Sequence, residues 1–104
     1  MHLFLDDERF PPDDNNCWTI VRTVEEAIAY VQKHGCPNHI SFDNDLGQGM
    51  KEGWEFAQWL IDYDLDTDTM PDNFSYYVHS QNTAAATNIR GKMDGYLAFK
   101  NNNT

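Results

Sequence analysis

The chain has 104 residues, enough for one domain with one hydrophobic core. Hydrophobic residues make up 40% of it and aromatics 13%, a globular composition, and its apolar runs of four or five residues exclude a membrane span or signal peptide. Seven Lys and Arg against 17 Asp and Glu give a net charge of -10, which argues against gripping duplex DNA through a basic surface.

Met1 to Leu5 is apolar apart from His2 and runs into Asp6-Asp7-Glu8-Arg9, the pattern of a buried strand that delivers its end to a polar site. Pro11 to Asn16 reads as a loop, and Trp18 to Arg22, rich in β-branched residues, as a second strand. Thr23 and Glu26 form a capping box for a helix whose inner face is Val24, Ala27, Ile28 and Val31, with Gly35 as its stop. His39 to Phe42 reads as a third strand ending on Asp43-Asn44-Asp45. A second helix is predicted over roughly Gly53 to Asp62, with Trp54, Ala57, Leu60 and Ile61 inward and Phe56 and Trp59 widening the stripe.

The acids Asp62, Asp64, Asp66, Asp68 and Asp72 then suggest a solvated loop, since the glycine and closing Glu of a calcium loop are missing. Phe74 to Val78 reads as the fourth strand, ending on His79-Ser80. Asn82 or Thr83 caps a final helix to about Phe99, with Ala85, Ile89, Met93 and Tyr96 inward. The residues from about 100 to 104 read as a frayed tail of the single domain. Cys17 and Cys36 fit neither a disulfide framework nor a zinc cluster, so a soluble, cytoplasmic domain is expected.

Helical crossovers after the second and third strands imply a parallel sheet with right-handed connections. The expected fold is a small flavodoxin-like α/β three-layer sandwich: four parallel strands in the order 2-1-3-4, with helices on the faces of the sheet. Ligands of such sheets lie beyond the carboxyl ends of the strands. Three polar clusters reach that rim: Asp6-Asp7 with Arg9, Asp43 with Asp45, and His79 with Ser80. Carboxylates crowded there repel one another unless a cation intervenes, and oxygen ligands favour Mg²⁺, Mn²⁺ or Ca²⁺ over zinc. Asp6, Asp7, Asp43 and Asp45 are therefore the candidate metal ligands. Such a cation keeps positions open for a phosphate oxygen, His79 can act as acid or base, and Ser80, Asn82 and Arg9 can hold the anion.

Leu3-Phe4-Leu5-Asp6-Asp7, Asp43 at a strand end, and Glu52-Gly53 opening a helix resemble the response-regulator receiver domain. That resemblance implies a Mg²⁺-binding acidic pair, a phosphoryl-accepting Asp43 and a hydroxyl role for Ser80. A proline-rich loop replaces the receiver's first helix, however, and no fifth strand with its lysine is evident after Ser80. The blocks Leu5-Asp6-Asp7-Glu8-Arg9, Thr23-Val24-Glu25-Glu26-Ala27, Asp43-Asn44-Asp45-Leu46-Gly47 and Val78-His79-Ser80-Gln81-Asn82 more closely resemble the cyclic-phosphate processing receiver domain family, with Asn44 in place of that family's histidine.

This resemblance implies metal-assisted hydrolysis of a cyclic phosphate, on an RNA end or a cyclic nucleotide, as in RNA repair or nucleotide signalling. Catalysis would fall to His79, Asp43 and Ser80, and substrate binding to Arg9, Asn82 and Ser80. Two other readings stay open: aspartyl-phosphate signalling through Asp43, and a non-enzymatic acidic module that binds a phospholigand or a basic protein partner. None of these readings needs duplex DNA or a membrane.

Overall fold

The structure, a computed structural model, describes residues 1–102. Its elements in chain order are β1 (His2–Leu5), β2 (Trp18–Val21), α1 (Val24–His34), β3 (His39–Phe42), α2 (Gly53–Thr67), β4 (Ser75–Val78) and α3 (Thr83–Asn102). All strands pair in parallel in the expected order β2-β1-β3-β4, with His2 opposite both Trp18 and His39, and Phe42 opposite Val78.

The strands alternate, so Leu3, Leu5, Val21, Ile40, Phe42 and Val78 all point to one face. These residues form a single core with Val24, Ala27 and Val31 of α1, Phe56, Ala57, Leu60 and Ile61 of α2, and Ala86, Ile89, Met93 and Tyr96 of α3. The layering therefore departs from the three-layer expectation: all three helices cover one face, and the fold has two layers. The cause lies in the direction of the crossovers. β2-α1-β3 and β3-α2-β4 step the same way along the sheet, and right-handed connections then place their helices on the same side. The one step in the reverse direction, β1 to β2, contains a loop and no helix. The opposite face carries His2, Phe4, Trp18, His39, Ser41 and Tyr77 without a helix over them.

Local chemistry explains the element ends. Thr23 Oγ1 accepts the Glu26 N–H at 3.1 Å, while the Glu26 carboxylate reaches one residue further back, to the Arg22 N–H at 2.7 Å. Gly35, at φ 82°, closes α1 by donating its N–H to the Val31 carbonyl. At the start of α2, Gly53 is required by contact, because a Cβ there would lie 1.9 Å from the Asp43 carbonyl oxygen.

Three expectations need correction. Helix α2 does not stop near Asp62 but runs to Thr67, so Asp62, Asp64 and Asp66 are helical and not part of a solvated loop. Asp64 is buried, and accepts hydrogen bonds from Tyr96 Oη at 2.5 Å, Lys100 Nζ at 2.7 Å and the Met70 N–H at 2.7 Å. That same lysine anchors α3, which continues to Asn102 where a frayed tail is expected. Asn103 and Thr104 lie outside the described residues. On the inner face of α3, Ala86 and not Ala85 is the buried alanine. No fifth strand follows β4 among the described residues, because the chain from Thr83 to Asn102 is this helix.

Candidate functional site at the strand ends

The carboxyl ends of β1, β3 and β4 meet at the rim, and backbone bonds hold them in register. Asp43 N–H donates to the Leu5 carbonyl at 2.9 Å and His79 N–H to the Phe42 carbonyl at 2.9 Å. Asp6, Asp43 and His79 are each the first residue beyond a strand, and each offers a ligand atom within 4.8 Å of the others. Asp7 and Asp45 are not in that group, and both are exposed.

Asp6 is fully buried, and its carboxylate has four partners. Oδ1 accepts the N–H groups of Glu8 at 2.9 Å and Arg9 at 2.8 Å, so the turn after β1 wraps around it. Oδ2 lies 2.9 Å from His79 Nε2 and 3.0 Å from Arg9 Nε. Burial alone pushes this carboxyl pKa up, but the two backbone donors, His79 and the Arg9 charge outweigh burial and hold it below the usual carboxylate range. Arg22, the residue after β2, steadies the same turn by donating to the carbonyl oxygens of Asp6 at 3.1 Å and Arg9 at 2.6 Å.

Asp43 shifts the other way. Burial raises its pKa, and the Asp6 charge adds to that rise. The Asn44 N–H on Oδ1, His79 and Arg9 compensate only in part. Arg9 Nη2 stands 3.5 Å from Asp43 Oδ2, so one guanidinium spans both carboxylates. Two adjacent carboxyls displaced in opposite directions are an arrangement suited to proton transfer.

His79 is fixed on three sides. Its ring stacks on Phe4 with centroids 4.6 Å apart and planes 3° apart. Nε2 meets Asp6, and Nδ1 lies 2.7 Å from Ser41 Oγ. Ser41 escapes a reading of the sequence, because its partner is 38 residues away. The available signal is modest: Ser41 is the one hydroxyl in a strand whose flanking residues, Ile40 and Phe42, are core.

The remaining candidates are placed differently. Ser80 is half-buried, and its Oγ accepts the Asn82 N–H at 3.1 Å. Asn82 caps α3, taking the Ala85 N–H on Oδ1 at 3.1 Å, and its amide reaches Asp45 Oδ2 at 3.5 Å. Asn44, which stands at the histidine position of the resembled pattern, is buried away from the Asp6–His79 pair. It accepts the Trp54 N–H at 3.2 Å and donates to Glu52 at 2.9 Å and Asp45 at 3.1 Å, which ties the β3–α2 loop to its helix. Beside His79 and Arg9, the uncovered sheet face opens into a cavity of about 560 Å³.

Comparison with known proteins agrees with this architecture. The family model for the cyclic-phosphate processing receiver domain matches residues 1–95. A solved fusion protein carrying amino acids 181–211 of the yeast Spc42 trimeric coiled coil is similar over 98% of this chain and 81% of its own. The TM-score is 0.59 at 18% identity, a likeness of fold. No curated protein matches the sequence. No helix among the described residues is long and apolar enough to cross a membrane.

Proposed function

The chain belongs to the cyclic-phosphate processing receiver family, and we propose on that premise that it hydrolyses a cyclic phosphate carried by a nucleotide or an RNA end. The observation that carries the reading is the buried Asp6 carboxylate, which bridges His79 and Arg9 next to a second carboxyl of raised pKa. Ring opening adds water to phosphorus, breaks one bond from phosphorus to a sugar oxygen, and leaves a phosphate monoester and a free hydroxyl. Arg9 clamps a non-bridging oxygen. Asp43 takes a proton from the attacking water, and His79 supplies one to the departing alkoxide. Asp6 orients His79 through Nε2, and Nδ1, which meets the Ser41 hydroxyl before substrate enters, is the nitrogen that delivers the proton to the alkoxide. Ser80 and Asn82, on the turn after β4, contribute hydroxyl and amide donors to the phosphate.

The carboxylates of Asp6 and Asp43 fit a hard cation, Mg²⁺, Mn²⁺ or Ca²⁺, and leave the His79 imidazole to its acid–base role. Asp6 and Asp43 would hold the cation, and their chain neighbours Asp7 and Asp45, both exposed, stand outside the group of ligand atoms. Bound there, it supplies Lewis-acid neutralisation of the phosphate and a more acidic water. Arg9 spans the same two carboxylates, and its side chain is 44% exposed, so it can swing out to make room. A cytoplasmic setting suits both the substrate and the free thiols of Cys17 and Cys36.

The test is a panel of cyclic nucleotides and cyclic-ended oligonucleotides, with and without Mg²⁺ or Mn²⁺, followed by ³¹P NMR. The wild-type protein should open at least one ring, and His79→Ala and Asp43→Asn should each slow it about a hundredfold. A panel left unreacted by the wild-type protein would overturn the hydrolase reading. Stoichiometric phosphorylation of Asp43 by acetyl phosphate would replace it with a signalling one.

A further inference from the structure

Hydrolysis at the rim leaves one large feature unexplained, the uncovered face of the sheet. We propose that this face is a nucleobase pocket, and that the substrate is a free nucleoside cyclic monophosphate lying along the strands with its phosphate at the rim. The inference rests on the cyclic-phosphate reading of the rim and extends it to the class of molecule that carries the phosphate.

The cavity of about 560 Å³ falls in the range of small-molecule sites and is continuous with the phosphate end, because Arg9 and His79 line it. Its floor is aromatic. Phe4 lies beneath, stacked with His79, and the Trp18 indole stands edge-on to Phe4 at 5.8 Å and to His39 at 5.8 Å. Tyr77 closes one side, and Phe10 and Pro12 from the β1–β2 loop close the other. Tyr77 and Phe10 are 60% and 75% exposed and open to a flat partner, although the Arg22 guanidinium already lies 5.1 Å from the centre of the Phe10 ring.

Aromatic side chains around a slot suit a base, which every nucleotide presents as a planar π-system. Polar groups at the edge suit it further. Asp14, which accepts the Trp18 indole N–H at 3.0 Å, stands at the pocket wall as an acceptor for a base amino group. The scale also agrees: from the His2 level of β1 to Asp6 is four residues, about 13 Å of strand, the span of one nucleotide from base to phosphate.

The same features select a single nucleotide over a polymer. The chain carries a net charge of -10, and Asp7, Glu8, Asp13 and Asp14 are all exposed in the loop around the pocket. A second or third phosphate would meet this acidic border without a basic track to receive it. The absence of a helix between β1 and β2 thereby acquires a use: it leaves the sheet face open, and the proline-rich loop forms a side wall for the base.

The experiment uses ¹H–¹⁵N spectra of the full chain, with the Trp18 indole signal assigned through Trp18→Phe. His79→Ala protein is titrated with adenosine 2′,3′-cyclic phosphate, with glycerol 1,2-cyclic phosphate as a base-free probe, and with a short oligonucleotide bearing a cyclic end. The Trp18 indole should move with the nucleotide and not with the glycerol ester, and the oligonucleotide should bind no tighter than the nucleotide. Tyr77→Ala, at an exposed position that the fold does not need, should weaken nucleotide binding about tenfold. In the active protein it should lower the preference for nucleotide over glycerol ester by a similar factor.

Nucleotide-specific movement of Trp18 without ring opening by the wild-type protein would uphold the pocket and sink the chemistry. Equal turnover of both esters, with Tyr77→Ala showing the same ratio as wild type, would uphold the chemistry and sink the pocket. Tighter binding of the oligonucleotide would overturn the choice of a single nucleotide. Concentration-dependent broadening of Trp18 and Tyr77, with a dimer in sedimentation and no response to nucleotide, would make the face an interface between copies and overturn the proposal.

Discussion

Asp6 and Asp64 are buried almost identically, at 0% and 2% exposure, and are built alike. Each accepts a backbone N–H, each meets one cationic side chain (Arg9 or Lys100), and each bonds one ring-bearing side chain (His79 or Tyr96). For both, burial works to raise the pKa and the partners overcome it, leaving the carboxyl below its usual range. One sits at the strand ends and the other ties α2 to α3 at the far end of the helices. Burial and a depressed pKa therefore do not mark a site by themselves. The distinction lies in the neighbours. Asp64 bonds Tyr96, whose pKa burial and the carboxylate drive upward and which stays protonated, and the nearby thiol of Cys36 is pushed up to about 12. Asp6 faces a second carboxyl and an imidazole, and two of its partners, Arg9 and His79, line an open cavity. One cluster holds its acid charged and its phenol and thiol protonated, whereas the other holds groups that can exchange protons with a ligand.

The largest effect that tests this contrast is on activity. Asp6→Asn should reduce ring opening by about a thousandfold, since the amide can no longer orient His79 and Arg9 together. Asp64→Asn should leave the turnover of folded protein unchanged and act on stability instead, costing about 3 kcal/mol because Lys100 loses its buried partner. That is a fall of more than about 10 °C in Tm for a chain of this size. Calorimetry with an assay at low temperature separates the two, and a loss of turnover in folded Asp64→Asn protein would break the distinction. Gly53→Ala comes next, at about 2–3 kcal/mol, because its Cβ must displace the Asp43 carbonyl. Unlike Asp64→Asn, it should lower turnover as well, by moving Asp43.

Acid titration separates the groups by sign. Asp6 and Asp64 have folded pKa values below the unfolded value, so their contributions are present above about pH 4 and lost as the pH falls through the folded values. Wild-type stability should therefore drop on acidification below about pH 4. Asp64→Asn should show a shallower acid limb, measured by urea unfolding at a series of pH values. An acid limb as steep in Asp64→Asn as in wild type would remove Asp64 from the account.

Much of this architecture is legible in the sequence where the signal is local. Strand alternation, the Thr23–Glu26 cap and the crossover pattern give the sheet order, and polar residues immediately after strands bring Asp6, Asp43 and His79 to one rim. What is not legible depends on distant partners. The alternating acids after Leu60 look solvated because the residues that receive Asp64, Tyr96 and Lys100, lie 32 and 36 positions away. Ser41 is silent for the same reason. The uncovered face is harder to see in the sequence, because His2, Trp18, His39 and Tyr77 come from four separate strands and only the register aligns them.

The smallest expected effect is also the most discriminating, because its sign is unusual. Asp43 has its pKa raised by burial and by the neighbouring Asp6, so the folded state prefers its protonated form. That preference stabilises the fold at acidic pH and is lost as the pH rises through the folded pKa, which leaves a charged carboxylate that works against folding at neutrality. Asp43→Asn keeps the shape, removes the charge and can still accept the Asn44 N–H. It should therefore raise the Tm of the metal-free protein at pH 7 by a few degrees, although the same substitution slows ring opening. Most replacements of a buried acid destabilise, as Asp64→Asn is expected to do. Adding Mg²⁺ reverses the ranking: the wild-type Tm should climb through linkage, whereas that of the variant stays nearly flat. A variant less stable than wild type without metal would mean that Arg9 already compensates Asp43 in full, and that the two carboxyls are not driven apart. An equal Mg²⁺ response in both proteins would place the cation away from Asp43.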